Sequence, residues 1–292
     1  MKVTSHSEYL KLQKVFIKPA RNAFLSQSHL DNQWKALNYL ERPNFDIAIE
    51  EYETFEKLLT NFNIEIEYFP KGNAVTIDSL YCRDASITTD FGIILCNMGK
   101  AGRKNEPASH KQIYIDCKIP ILGEIIYPGT LEGGDVAWLD EKTLAVGHSY
   151  RTNTEGIAQL KKLLEPNDIE ISVAELPHYK GPSDVFHLMS ILSPVDKNLA
   201  VVYSPLMPIG FRNKLIDRGF EQVEVPDEEF ESMGCNVLAV APRQCVMVEG
   251  NPITRKRLEQ AGCKVKTYKG KEISIKGGGG PTCLTRPMQR CY

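Results

Sequence analysis

Apolar and polar positions alternate along this chain in a unit that recurs. Residues 85–96, 135–147, 188–203 and 237–250 each hold an apolar run, a short polar interruption and a second apolar run. The interruptions at Asp90-Phe91-Gly92, Asp140-Glu141-Lys142, Asp196-Lys197-Asn198 and Pro242-Arg243-Gln244 carry turn chemistry between β-rich stretches, so each segment predicts a hairpin. After the second hairpin, Ile157, Leu160, Leu163 and Leu164 share one face of a helix over 154–165, and 169–177 reads as a strand. Residues 212–220 and 221–227 follow the third hairpin in the same order, and 254–262 and 263–268 follow the fourth, with Gly262 placed to end the helix. The unit is therefore hairpin, helix, strand, with a period of about 50 residues. Its remaining copy is split. A strand from Val15, a helix through 47–61 and a strand from Ile64 stand at the start, while the strand after Cys283 stands at the end. A repeat whose two ends must meet predicts a closed ring of five ββαβ units, one α/β domain over residues 1–292.

Just before the first apolar run of each unit stands a polar residue: Asp84, Glu132, His187, Asn236 and Cys283, at intervals of 48, 55, 49 and 47 residues. In a closed ring equivalent positions face one axis, so the five are expected to converge. Any one of them alone reads as an ordinary residue at a strand start. Jointly, two carboxylates, an imidazole and a thiol are the set of a covalent catalyst with acid and base help. Asn236 receives no chemistry beyond a hydrogen bond. Cys283 stands apart from the other cysteines because Gly277, Gly278, Gly279 and Gly280 precede it, and bare backbone can approach a ligand closely there.

A net charge of −2 gives no electrostatic case for nucleic acid or an anionic membrane. The apolar runs are strand-sized, well short of the roughly 20 residues of a membrane helix, and residues 1–14 show no secretory h-region. Seven of the eight cysteines read as small hydrophobes, most of them in predicted strands, and no CxxC spacing occurs, so a reduced, cytoplasmic enzyme without metal or cofactor is expected. Residues 19–46 read as a long irregular stretch, either a lid or a loop packing Trp34 and Phe45 on the ring. Nothing in the chain selects an oligomeric state, and a homo-oligomer is allowed.

Four blocks carry a resemblance: Tyr81-Cys82-Arg83-Asp84; Glu132-Gly133-Gly134-Asp135 continuing to Arg151-Thr152-Asn153; Phe186-His187-Leu188; and Gly277 through Cys283 to Pro287. Over about 200 residues they resemble the guanidine-modifying superfamily of amidinotransferases and dimethylargininases, the penteins, and within it most resemble dimethylarginine dimethylaminohydrolase. The resemblance implies a five-bladed αβ propeller and hydrolysis of methylated arginine, a small guanidine substrate, to citrulline and a methylamine. It implies Cys283 as nucleophile and His187 as acid and then base. Asp84 would bind the guanidinium, while Glu132 would orient His187 or hold that cation. Arg151 and Arg103 would take the substrate carboxylate, and Asp78 would lie near its ammonium or an adjacent nitrogen. For Arg103 the competing reading is a solvated arginine in the polar loop 100–107.

Two positions depart from the superfamily pattern. Deiminases and amidinotransferases usually carry an aspartate two residues after the histidine, where this chain has Met189. That removes one carboxylate from the guanidinium and favours a modified guanidine over arginine. Some dimethylargininases place an aspartate shortly before the nucleophile, where this chain has glycine. Arginine deiminase or dihydrolase activity, transfer of an amidino group to an amine, and a ring-shaped binding protein are the competing readings.

Overall fold

The computed structural model describes residues 2–72 and 74–292, and these build five small sheets. Four are three-stranded and sequential. Their strands are Ser86–Thr89, Gly92–Leu95 and Ile121–Glu124; Val136–Trp138, Thr143–His148 and Glu170–Glu175; Leu192–Asp196, Leu199–Val202 and Glu221–Glu224; and Leu238–Ala241, Gln244–Val248 and Lys264–Tyr268. In each, the first two strands form an antiparallel hairpin and the third runs parallel to the second. Parallel pairing requires a crossover. The helices Glu106–Asp116, Thr154–Leu164, Ile209–Asp217 and Pro252–Gln260 supply it.

The fifth sheet joins the two ends of the chain. Thr285–Cys291 pairs antiparallel with Lys11–Ile17, which pairs parallel with Glu65–Tyr68 across the helix Phe45–Asn61. The split copy expected from the repeat is thus present. Neighbouring blades meet through their first strands, as where Leu192–Asp196 lies on Leu238–Ala241 and Thr285–Cys291 on Ser86–Thr89. The architecture is a five-bladed αβ propeller.

Burial explains the strands. Leu199, Ala200, Val201 and Val202 are all fully covered, as a parallel strand packed on both faces requires. Removing each such side chain from water contributes about 1.5–3 kcal/mol for a valine or leucine.

Two elements depart from expectation. The helix Glu106–Asp116 and its strand Ile121–Glu124 were not legible, because the face the helix buries consists of Glu106, Pro107, His110 and Tyr114 rather than aliphatics. Its start also corrects the picture of 100–107 as an open polar loop. The stretch 19–46 is not irregular either: it holds the short helices Ala20–Phe24 and Gln27–Gln33, the second capped by Ser26. Trp34 and Phe45 pack on the core, while Leu37, Asn38 and Leu40 line the cavity at the ring's centre.

Candidate active site

Asp84, Glu132, His187, Asn236 and Cys283 each stand a few residues ahead of the first strand of a blade. Backbone hydrogen bonds tie these entries together. Arg83 N–H donates to Cys283 O at 3.2 Å and Gly133 N–H to Asp84 O at 2.8 Å. Arg286 braces the same turn by donating from Nη1 to Ser86 O at 2.6 Å.

Four of the five, Asp84, His187, Asn236 and Cys283, line one cavity of about 310 Å³. Glu132 does not line it. It lies fully buried behind His187, whose Nε2–H donates to Glu132 Oε2 at 2.9 Å. The other oxygen, Oε1, accepts from Lys100 N–H at 2.9 Å and lies 3.6 Å from Arg151 Nη1. Of the two roles open to Glu132, orienting the imidazole is the one its contacts fit.

Gly134 makes this packing possible. A Cβ there would run into the His187 ring and stand 2.7 Å from Asp84 Oδ1. Asp135 fixes the next shell: Oδ1 accepts from Leu188 N–H at 2.9 Å and Oδ2 from Ser149 Oγ at 2.6 Å, so the turn after His187 is tied to the turn that carries Arg151.

Asp84 is held on one side only. Its Oδ2 accepts from Arg103, while its buried Oδ1 has no hydrogen-bond partner among the described residues. Arg103 is not a solvated loop residue. It is 3 % exposed, donates to both oxygens of Glu106 at 2.9 and 2.7 Å and to Tyr81 O at 2.8 Å, and is thereby committed to fixing Asp84. Arg151 instead faces the cavity and donates to Asp184 O at 3.3 Å. Asp78 also lines the cavity, with Lys100 Nζ 2.6 Å from its Oδ2.

The charges settle the protonation states. Burial alone would lower the His187 pKa, but the field of Asp135, the Glu132 hydrogen bond and Asp84 outweigh it and lift it to about 9. Burial would raise Glu132, but the His187 hydrogen bond and the charges of His187, Arg151 and Arg103 hold it down at about 2. At neutral pH the pair is therefore imidazolium and carboxylate. Burial pushes the Cys283 thiol up and the Asp84 charge adds to this, against hydrogen bonds from Thr282 and Asn236. The free protein holds Cys283 as a thiol at neutral pH.

One oxygen each of Asp84 and Glu132 and a His187 nitrogen lie within 4.8 Å of one another, the donor types of a cation site. Here Arg103, Arg151 and the protonated imidazole already balance the two carboxylates, so a metal would have to displace cations built into the fold.

Gly277, Gly278 and Gly279 line the cavity, so bare backbone does face a ligand there, and packing adds a second reason for three of the four glycines. Cβ atoms on Gly277 and Gly279 would collide with Tyr81, and one on Gly280 would lie 2.5 Å from the Asn236 amide. They admit side chains against the turn that carries Cys283. Sequence reasoning also passed over Lys100, Tyr179, Lys180, Phe230, Glu231 and Met233 in the cavity wall. Only the polar loop around Lys100 gave a signal that could have found any of them.

A family model described as N,N dimethylarginine dimethylhydrolase, eukaryotic, matches residues 18–290. The N(G),N(G)-dimethylarginine dimethylaminohydrolase of Pseudomonas aeruginosa is 26% identical over 249 residues, covering 85% of this chain and 91% of that protein. A structure of the Pseudomonas aeruginosa enzyme complexed with citrulline superposes with a TM-score of 0.78 at 22% identity, over 95% of this chain and 100% of that one. The N-terminal domain of ArgZ, an arginine dihydrolase from Cyanobacteria, superposes with a TM-score of 0.80 at 17% identity, over 95% of this chain and 97% of that one.

Proposed function

Since the chain belongs to the N,N dimethylarginine dimethylhydrolase family, we propose that it is a hydrolase cleaving a C–N bond of a guanidine amino acid, converting methylated arginine to citrulline and a methylamine through a covalent intermediate on Cys283. The coarser reading, an enzyme acting on guanidino groups by hydrolysis or transfer, is the one its relatives share: a dimethylaminohydrolase, arginine deiminases and an amidinotransferase.

The unpartnered Asp84 Oδ1 carries this reading. A buried carboxylate oxygen with no donor is costly, and a planar guanidinium brings N–H groups that satisfy it with a charge-assisted bond. Bound there, the cation would offset the Asp84 charge that raises the Cys283 pKa, so the substrate would help form its own nucleophile.

In the first half-reaction the Cys283 sulfur bonds to the guanidinium carbon. His187 passes its proton to the substituted nitrogen, and the C–N bond breaks to release the amine. A thiouronium remains on Cys283. Neutral His187 then takes one proton from water as the water oxygen attacks the same carbon, and C–S cleavage, with the remaining hydroxyl proton lost to solvent, frees citrulline and the thiolate. Glu132 holds the imidazole in position through both steps.

In this reading Arg151 takes the substrate carboxylate. Arg103, engaged by Asp84 and Glu106, sets the guanidinium site instead of sharing that carboxylate. Asp78 remains the group for the substrate ammonium and would divide its carboxylate between that ammonium and Lys100. Met189 is buried and faces the cavity, an apolar wall where a second carboxylate would grip unsubstituted arginine. It favours an N-alkyl substituent.

The test is mass spectrometry of products after incubation with monomethylarginine, both dimethylarginines and arginine. Citrulline with methylamines, and a lower kcat/KM for arginine, is the expected result. Faster ammonia release from arginine would make the protein a deiminase, an acceptor-dependent amidino product would make it a transferase, and turnover of no guanidine would sink all three.

The pH dependence follows from the two titrations. Attack requires a thiolate beside a protonated His187, and the free protein holds both groups protonated at neutral pH. Thiolate grows about tenfold per pH unit below its pKa, so kcat/KM is expected to climb from pH 7 until His187 loses its proton near about 9. A profile already flat or declining between pH 7 and 8 would contradict this assignment.

Among the described residues no helix is long and apolar enough to cross a membrane. All eight cysteines are free. A reducing compartment such as the cytoplasm suits a thiol enzyme of this kind and completes the proposal, together with a single catalytic domain.

A further inference from the structure

Asn236 occupies the fourth axis-facing position, and the mechanism above gives it no part. Its amide is nevertheless locked in place. Oδ1 accepts from Thr282 N–H at 3.0 Å and from Thr282 Oγ at 2.9 Å, so the amide cannot be reversed without losing both bonds. That leaves Nδ2–H directed at Cys283 Sγ, at 3.4 Å. The backbone on either side is clamped by one hydroxyl: Ser193 Oγ donates to Cys235 O at 2.7 Å and accepts from Val237 N–H at 3.1 Å. Gly280 completes the fit, because a Cβ at that position would lie 2.5 Å from both Cγ and Oδ1 of Asn236. Three separate features of the sequence therefore converge on holding one N–H against one sulfur.

We propose that Asn236 is a further catalytic residue, donating a fixed hydrogen bond that stabilises the Cys283 thiolate and aims its sulfur at the cavity. The proposal rests on Cys283 being the nucleophile. The sulfur is otherwise poorly served. Asp84 faces it with a negative charge, Tyr81 and Tyr268 stand near it as neutral phenols, and of the charged groups acting on it Arg83 favours the anion but is itself paired with Glu8 at 2.7 Å. His187 lines the same cavity but has its Nε2–H committed to Glu132. Thr282 Oγ lies 3.9 Å from the sulfur while donating to Asn236. Asn236 is thus the neighbour whose donor is aimed at the sulfur by its own bonds, and it does this before any substrate arrives. The same bond serves the second half-reaction, where the thiolate must leave as the C–S bond breaks.

The test is the rate of iodoacetamide alkylation of the full chain from pH 6 to 10, read by mass at the peptide carrying Cys283, for the unaltered protein, Asn236→Ala and Asn236→Asp. Losing the bond is expected to move the alkylation midpoint up by about one pH unit, a tenfold loss of thiolate at neutral pH. Asn236→Asp keeps the shape and the bonds from Thr282 but turns an oxygen toward the sulfur, so its midpoint is expected to move further than that of Asn236→Ala. If Asn236→Ala does not fold, the aspartate variant carries the test alone. Superimposable profiles for folded Asn236→Asp and the unaltered protein would overturn the proposal, whatever happens to the melting temperature. Turnover of methylated arginine, measured in parallel, separates the two readings. Shifted alkylation without turnover would leave this proposal standing and remove the substrate, while turnover with unshifted alkylation would do the reverse.

Discussion

Cys283→Ser is expected to cut turnover of methylated arginine by roughly 10⁴-fold or more, while the protein still folds and binds the substrate. The size follows from the chemistry. A serine hydroxyl in this setting has no neutral base positioned on it, because His187 is protonated and its Nε2–H is held by Glu132. The thiol needs none once a guanidinium lies beside it, since its own pKa is near enough to be brought down. The fold should tolerate the change because the side chain sits at the cavity wall, half-buried, and a hydroxyl can still accept the bond from Asn236. Kinetics with methylated arginine, together with calorimetric titration of the same ligand into the variant, check both halves. Retained turnover would remove Cys283 from the mechanism. Lost turnover with lost binding and a lowered melting temperature would point to a structural role.

The repeat was legible because the ring buries its strands as unbroken aliphatic runs and its entries begin at a constant spacing. Leu199–Val202 is such a run, and the five axis residues keep nearly the same interval. The blade that begins at Ser86–Thr89 hid its helix because Glu106, His110 and Tyr114 fill its inner face, and no pattern of aliphatics marks it. The motifs picked out Cys283, His187, Asp84 and Glu132, which the fold brings together, but not their depth. Whether a carboxylate faces the cavity or stands behind an imidazole depends on which turn follows it, and Glu132 and Asp84 look alike in the sequence. Arg103 shows the same limit: its distance from Asp84 along the chain was visible, whereas its commitment to Glu106 depended on a helix start that polar residues concealed. Asn236 was found by the repeat and left without a purpose, because its purpose lies in bonds from Thr282 and in the space left by Gly280, which only the folded chain brings together.

His187→Ala is expected to lower kcat for methylated arginine by roughly 10²–10⁴-fold, with an effect that depends on the leaving group. An alkylamine cannot depart as an anion, so breaking the C–N bond requires the proton that His187 holds at neutral pH. A guanidine analogue whose leaving group is a thiolate needs no such proton, and for it the first half-reaction should survive the substitution. The second half-reaction would still lack its base. The variant is therefore expected to accumulate a covalent adduct on Cys283 from the thiolate-bearing analogue, visible as a mass increase on the intact chain, and to form little from methylated arginine. Removing the imidazole also strands Glu132, which would keep only Lys100 N–H and Arg151 as partners. Leaving a buried carboxylate underpaired costs about 3–5 kcal/mol, so a fall in melting temperature should accompany the kinetic loss without explaining its leaving-group dependence. Equal losses with both substrates, at a temperature where the variant is fully folded, would show that His187 positions the site rather than supplying the proton.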